Sequence, residues 1–273
     1  SKTVEPSTTY NDTGVIVVGG HTTYNWDRGA YGVTDMETLL ARSLNVGAAT
    51  IATWMGTDVF YDYFQRFGFG HATGIDMLGE ADGYMLMPGN ADWGEDQLAT
   101  NSYGQGLAVT PLQMISAVSA LANNGYLMQP YLVQEKRDSN GVHRHEPTVL
   151  SQPVSPDTAA ILTNMAVKAV NLEVPEAQIP GYTVAGKTGT AQIAEHGIYH
   201  PTDIIGSFIG WLPADDPEIV VLVKLDRPTS AQWGSMTAAP AFAKLASELV
   251  VMLNIPPDDV RLQADILAAR DGN

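Results

Sequence analysis

Apolar and polar positions alternate with changing period along the chain, and the changes locate the elements. Val15–Val18 is an apolar run set between Asn11-Asp12 and Gly19-Gly20, the mark of a short strand or hairpin within the turn-rich stretch 1–33. Thr34-Asp35-Met36-Glu37 has capping-box spacing, and Met36, Leu39 and Leu40 follow on one helical face, so a helix should open at Thr34. Further helices are predicted over 46–55, stopped by Gly56, and over 58–66, stopped at Gly68. Residues 68–106 are glycine-rich and aperiodic and read as one long irregular segment, a kind more often functional than a spacer. Thr110-Pro111-Leu112-Gln113 then supplies an N-cap, a proline at the first helical position and a box glutamine for a helix to Ala122, ended by Asn123-Asn124-Gly125.

Beyond that helix, Asn140-Gly141 lies between extended segments at 131–136 and 142–150 and signals a hairpin. Ser155-Pro156-Asp157 starts a helix through Val170. Thr183–Ala194, Ile205–Leu212 and Ile219–Leu225 read as strands, the last two joined by a loop short enough to make them antiparallel. An apolar helix over 239–253 ends at Pro256-Pro257, and the acidic tail 256–273 has room for one more short helix. The fold class is α/β: an antiparallel sheet built on 183–225 and flanked by helices, plus a mostly helical part carrying Ser43.

Composition narrows the function classes. The chain has 273 residues, 45% hydrophobic and 16% charged, enough for a real core in one large domain or two small ones. A net charge of −16 repels phosphate and argues against nucleic-acid binding; it gives no attraction to anionic lipid either. No cysteine is present, which excludes disulfides and thiolate chemistry. No apolar run reaches the length of a bilayer span and no signal-peptide pattern opens the chain, so any membrane anchor would lie outside these residues.

Two short motifs carry candidate chemistry: Ser43-Leu44-Asn45, between two predicted helices, and Lys187-Thr188-Gly189-Thr190, on a predicted strand. Plain structural readings stand beside them. Ser43 could cap a helix starting near Asn45, and Thr188 and Thr190 could be simple strand formers. Lys187 could be a solvated strand residue, although with 14 Lys+Arg in the chain a lysine set between glycines is an odd place for surface charge. Strand alternation puts Lys187 and Gly189 on one face and Thr188 and Thr190 on the other, so a twist or bulge is needed before Lys187 and Thr190 can serve one site.

Gly181 through Thr188 also fits the P-loop pattern, and Ile219–Asp226 resembles its partner strand. A P-loop needs a strand before its first glycine and a helix at its lysine. Pro180 and Gly189 argue against both. His196 and His200 are separated by Gly197 and followed by Pro201, which argues against a metal pair. His143 and His145 are expected to be exposed on the hairpin, and Asp215-Asp216 and Asp258-Asp259 to be turn residues.

The two motifs gain weight from the text between and after them. Gly68–Asp76 reads GFGHATGID, Ser102–Met114 SYGQGLAVTPLQM, Ala122–Gly125 ANNG and Val184–Gln192 VAGKTGTAQ, followed by Phe208-Ile209-Gly210-Trp211. That ordered series resembles the transpeptidase domain of the class B penicillin-binding proteins over residues 3–255, with Ser43–Asn45 and Lys187–Gly189 in the places of the family's S-x-N and K-T-G motifs. The resemblance implies a serine enzyme that attacks the penultimate carbonyl of a peptidoglycan stem peptide ending in D-Ala-D-Ala. The acyl group then passes to an amine of a neighbouring peptide, and β-lactams inhibit the reaction. It implies that Ser43 relays a proton to the departing amine, that Asn45 holds a substrate amide, and that Lys187 supplies positive charge near the terminal carboxylate. Thr188 and Thr190 would bring hydroxyls, Thr190 the better carboxylate donor, with its N–H available to an oxyanion hole; bare Gly189 would let a peptide lie along the strand edge. No metal or organic cofactor is implied, and the site of action would be the outer face of the cytoplasmic membrane.

The family's first motif, S-x-x-K, holds the nucleophile, and no serine in this chain has a lysine three residues on. The expectation is therefore residues 1–255 of a transpeptidase domain that lacks the N-terminal part of its fold, with 256–273 as a tail. Apolar surface left open in this way should favour pairing with itself or with a separate N-terminal segment, or leave a visibly incomplete site. A non-catalytic sensor or scaffold and a D,D-carboxypeptidase remain open beside transpeptidation.

Overall fold

The computed structural model describes residues 2–195, 198–231 and 233–263. The chain forms two compact units, residues 1–161 and 162–273.

The first unit opens with β1 (Thr9–Asp12), then the hairpin of β2 (Val15–Val18) and β3 (His21–Tyr24), then β4 (Gly32–Asp35), which returns antiparallel to β1. Helices α1 (Met36–Arg42), α2 (Asn45–Met55) and α3 (Thr57–Arg66) follow within a residue of expectation at most ends. The start of α1 differs. Thr34 is buried in β4 opposite Tyr10, so its backbone is committed to a ladder, and the cap falls to Asp35, whose Oδ1 accepts from Thr38 N at 2.8 Å.

The segment 68–106 is not wholly irregular. It contains β5 (Tyr84–Met85) and α4 (Glu95–Ser102), and β5 pairs with β6 (Leu107–Ala108). The acids Glu95 and Asp96 in the first turn of α4 were the available signal. Leu98 packs with Ala52 and Tyr61, and the Tyr61 hydroxyl accepts from Trp93 Nε1 at 3.0 Å and Asn101 Nδ2 at 2.9 Å.

In α5 (Pro111–Ala122) the capping box is realised: Thr110 Oγ1 accepts from Gln113 N and Gln113 Oε1 from Thr110 N. Gln113 Nε2 also donates to the carbonyls of His71 and Asp82, tying the glycine-rich stretch down. Beyond it β7 (Leu127–Met128) takes β10 (Val149–Ser151), and β8 (Glu135–Asp138) and β9 (Gly141–Arg144) form a hairpin shorter than expected. His143 is exposed on it as expected, but His145 is half-buried, stacked on Tyr131 with ring centroids 3.9 Å apart.

The division between the units falls inside α6 (Pro156–Glu173). The second unit is a three-stranded antiparallel sheet in the order β11 (Ala185–Glu195), β12 (Ile198–Leu212), β13 (Ile219–Asp226), with α7 (Gly234–Met252) on one face. Phe208, Leu212 and Val221 from the sheet meet Ala238, Ala239, Phe242, Ala246 and Val250 from α7. The rings of Phe208 and Phe242 are 4.7 Å apart. α7 starts at Gly234 rather than Ala239, because its first turn is small residues ahead of an internal Pro240 and carries no apolar period.

Residues 258–263 are helical, as the tail reading allowed; the rest of the tail and His196 lie outside the described residues. Asp215 and Asp258 are more than turn residues. Both accept from Arg261 Nη2, at 2.6 and 3.0 Å, and Asp258 also accepts from Thr183 N at 2.6 Å.

The approach of α2 to β1 generates a prediction. A Cβ at Gly47 would fall on the Tyr10 hydroxyl and 2.6 Å from Leu39 Cδ1. Alanine should gain about 1 kcal/mol of helix propensity there. Overpacking against a hydrogen-bonded tyrosine, at about 1–3 kcal/mol, should outweigh it. Gly47→Ala is expected to lower stability by about 1 kcal/mol or more in a urea titration.

Candidate active site

Ser43 and Asn45 belong to the first unit, and the turn that carries them is built as a helix ending. Ser43 N donates to Leu40 O at 3.3 Å and Leu44 N to Leu39 O at 3.1 Å, the paired bonds of a Schellman ending. Leu44 is buried to 1% exposure behind it. The position that closes such a turn is left-handed and is usually glycine; here it is Ser43, at φ 57° and ψ 49°. Ser43 therefore ends α1 and does not cap α2. The N-cap of α2 is Leu44, which has no side-chain oxygen.

The turn is held instead by three consecutive residues at the end of the β3 hairpin. Tyr24 O accepts from Asn45 Nδ2 at 3.1 Å, Asn25 Oδ1 accepts from Val46 N at 3.1 Å, and Trp26 Nε1 donates to Arg42 O at 3.1 Å. Behind them lies a buried polar cluster. Asp12 accepts from Tyr10 Oη at 2.8 Å, Gly14 N at 2.8 Å and Asn25 Nδ2 at 2.9 and 3.1 Å. Burial first, and the bond to Asp12 second, push the Tyr10 phenol well above its ordinary value, so it stays a donor. None of Tyr10, Asp12, Tyr24, Asn25 or Trp26 was singled out from the sequence. Hydrogen bonds spanning 21 residues leave no local spacing to read.

Lys187, Thr188, Gly189 and Thr190 lie on β11 in an unbroken register opposite Ile209, Phe208, Ser207 and Gly206. No bulge occurs between them, so strand alternation holds. Thr188 and Thr190 share the face of Phe208, beneath α7, and Lys187 and Gly189 share the other with Ser207 and Ile209. Thr190 Oγ1 accepts from Gly234 N, the first N–H of α7, at 3.2 Å. A Cβ at Gly234 would lie 2.5 Å from Gly189 O and 2.6 Å from Ser207 O, so packing demands a glycine there; one at Gly189 would meet only the Ser207 side chain, whose hydroxyl can turn aside.

Lys187 reaches back along its own strand: Nζ lies 3.2 Å from Thr188 O and 3.4 Å from Thr188 Oγ1. Desolvation lowers its pKa from 10.5 to about 8. The half-buried ammonium thus has a carbonyl and a hydroxyl oxygen of the next residue as acceptors. The same position rules out the P-loop reading, since Lys187 is in an antiparallel strand and starts no helix. Among the described residues no cluster of His, Cys, Asp or Glu could hold a metal ion, and no helix is long and apolar enough to cross a membrane.

Two measurements test this geometry. Ser43→Gly and Ser43→Ala both lose the hydroxyl and differ only in the Cβ. The glycine variant is expected to be more stable by about 1 kcal/mol, the cost of a left-handed Cβ, in denaturant titration. Carbon-detected NMR of the lysine side chains should find Lys187 titrating near 8. Because the folded state releases that proton before the unfolded state does, Lys187 destabilises at low pH. Stability should climb between about 8 and 10.5, and Lys187→Met should remove that climb.

Comparisons with known proteins identify the family. The family model described as the penicillin binding protein transpeptidase domain matches residues 1–247. Stage V sporulation protein D of Bacillus subtilis is 35% identical over 254 residues, covering 91% of this chain and 39% of that protein. The probable peptidoglycan D,D-transpeptidase PbpC of Pseudomonas aeruginosa is 30% identical, covering 91% and 42%. The chain thus spans about two fifths of the length of these relatives. Among solved structures, the apo transpeptidase domain of Burkholderia pseudomallei penicillin-binding protein 3 aligns with a TM-score of 0.82 at 30% identity, covering 93% of this chain and 75% of that one. Penicillin-binding protein 3 of Mycobacterium tuberculosis complexed with ampicillin aligns at 0.83 and 30%, covering 92% and 58%. The chain belongs to the penicillin-binding protein transpeptidase domain family, among the class B proteins.

Proposed function

We propose that these residues serve a serine D,D-transpeptidase that crosslinks peptidoglycan stem peptides on the outer face of the cell membrane and is inhibited by β-lactams. The observation that carries the reading is the half-buried, partly desolvated Lys187 ammonium beside the Thr188 hydroxyl on β11. A substrate ending in D-Ala-D-Ala presents a carboxylate, and an ammonium stripped of water binds it more strongly than one at the surface. Thr190 adds a second donor. Its Oγ1 accepts from Gly234 N at the positive end of α7, which polarises the hydroxyl and leaves its hydrogen for the carboxylate. The strand alternation that separates Lys187 from Thr190 is bridged by Lys187 turning toward Thr188, a neighbour of Thr190 on the α7 face.

In this scheme the Ser43 hydroxyl passes a proton to the departing D-alanine amine. Asn45, with Nδ2 already on Tyr24 O, offers Oδ1 to a substrate N–H. The attacking serine would have to belong to an S-x-x-K motif outside these 273 residues. Attack on the penultimate carbonyl forms the acyl-serine and expels D-alanine; an amine of a second peptide then takes the acyl group.

The test is fluorescent-penicillin labelling of this chain and of a version extended upstream through an S-x-x-K motif. Labelling is expected only in the extended version; labelling of the chain as it stands would place the nucleophile elsewhere. In the extended version, acylation by a carboxylate-bearing penicillin should fall as pH rises through about 8, where Lys187 loses its charge. Lys187→Arg, which stays protonated, should abolish that fall.

A further inference from the structure

We propose that Asn25 is a positioning residue for the Ser43–Asn45 turn. Its amide, oriented by the buried Asp12 carboxylate, caps α2 from outside and keeps Ser43 and Asn45 in place for acyl transfer. The inference rests on the transpeptidase reading above and adds a residue that the family motifs do not contain.

Helix α2 begins with a deficit. Leu44 stands at its N-cap with no side-chain acceptor, so the first-turn N–H of Val46 must be satisfied by another segment. Asn25 Oδ1 does this. The orientation of the amide is dictated chemically. The Asp12 carboxylate only accepts, so Asn25 must turn its NH2 toward Asp12 and toward Gly29 O at 3.0 Å, which leaves Oδ1 facing Val46. Tyr10 and Gly14 hold Asp12 in turn. Asn25 is 1% exposed, so it touches no substrate and acts through the turn it holds. Its neighbours Tyr24 and Trp26 bond to Asn45 and Arg42, so the three residues grip the chain on both sides of Ser43. Ser43 sits in a left-handed conformation that a serine does not choose unaided, and loss of one anchor should let the turn relax.

A residue that merely stabilised the unit would affect melting without separating binding from chemistry. A positioning residue lowers the acylation step and spares affinity. In the extended version, Asn25→Ala and Asn25→Asp are expected to reduce the first-order acylation constant for a fluorescent penicillin by about tenfold or more. The apparent binding constant should change less than about twofold, each variant being assayed well below its own Tm. The exchange Asp12→Asn with Asn25→Asp keeps the Val46 anchor, because the carboxylate at 25 still accepts from Val46 N and the amide at 12 donates to it, while the bond to Gly29 O is lost. That double variant should acylate at least about threefold faster than Asn25→Asp alone. Amide exchange at Val46, followed by NMR, should accelerate in Asn25→Ala and slow again in the double variant. Unchanged acylation in Asn25→Ala, or a double variant that regains Tm and Val46 protection but not rate, overturns the role of Asn25 alone. Failure of the unsubstituted extended version to label overturns the transpeptidase reading, and the role of Asn25 in it.

Discussion

A carboxylate buried among neutral donors governs the first unit. Asp12 is 1% exposed, and a charge removed from water is tolerable only if hydrogen bonds replace its hydration. The Tyr10 phenol, the Gly14 N–H and the Asn25 amide provide those bonds. Each of the three is thereby fixed in turn. Tyr10 becomes the surface against which Gly47 must be bare. Gly14 closes the turn between β1 and β2. Asn25 is left with a single acceptor to present, and that acceptor meets the helix following Ser43. One electrostatic demand in a strand thus sets the geometry of a turn some thirty residues away along the chain.

The second unit reaches order by another route. Its constraint is steric: a Cβ at Gly234 would meet the backbone of Gly189 and Ser207, so the bare residue lets the start of α7 come down onto β11 and β12. That approach places the first N–H of α7 on Thr190 and seats Phe208 against Phe242.

Local signals in the sequence match the structure where the physics is local. The Thr110 capping box, the glycine stop at Gly56, the Gly19-Gly20 hairpin and the three strands of the sheet all follow from residues within a few positions of one another. The errors share a cause. Thr34 looks like a cap but is held in a ladder by Tyr10, and α4 is too short and too polar to show a period. At the site, the motif residues were legible as Ser43, Asn45 and Lys187–Thr190, but their supports were not. Asn25 and Asp12 act over distances along the chain at which spacing carries no information, and the left-handed backbone at Ser43 has no signature in a serine.

The register of β11 carries a consequence for how this chain can vary. From Ala185 to Gln192 every residue faces its β12 partner without a break, and the first irregularity comes only between Gln192 and Ala194. Adding or deleting one residue before that point would exchange the two faces of the strand, sending Lys187 under the helix and the threonines to the far side. Replacements along this stretch keep the two faces apart, whereas a change in length is tolerated with less cost past the irregularity.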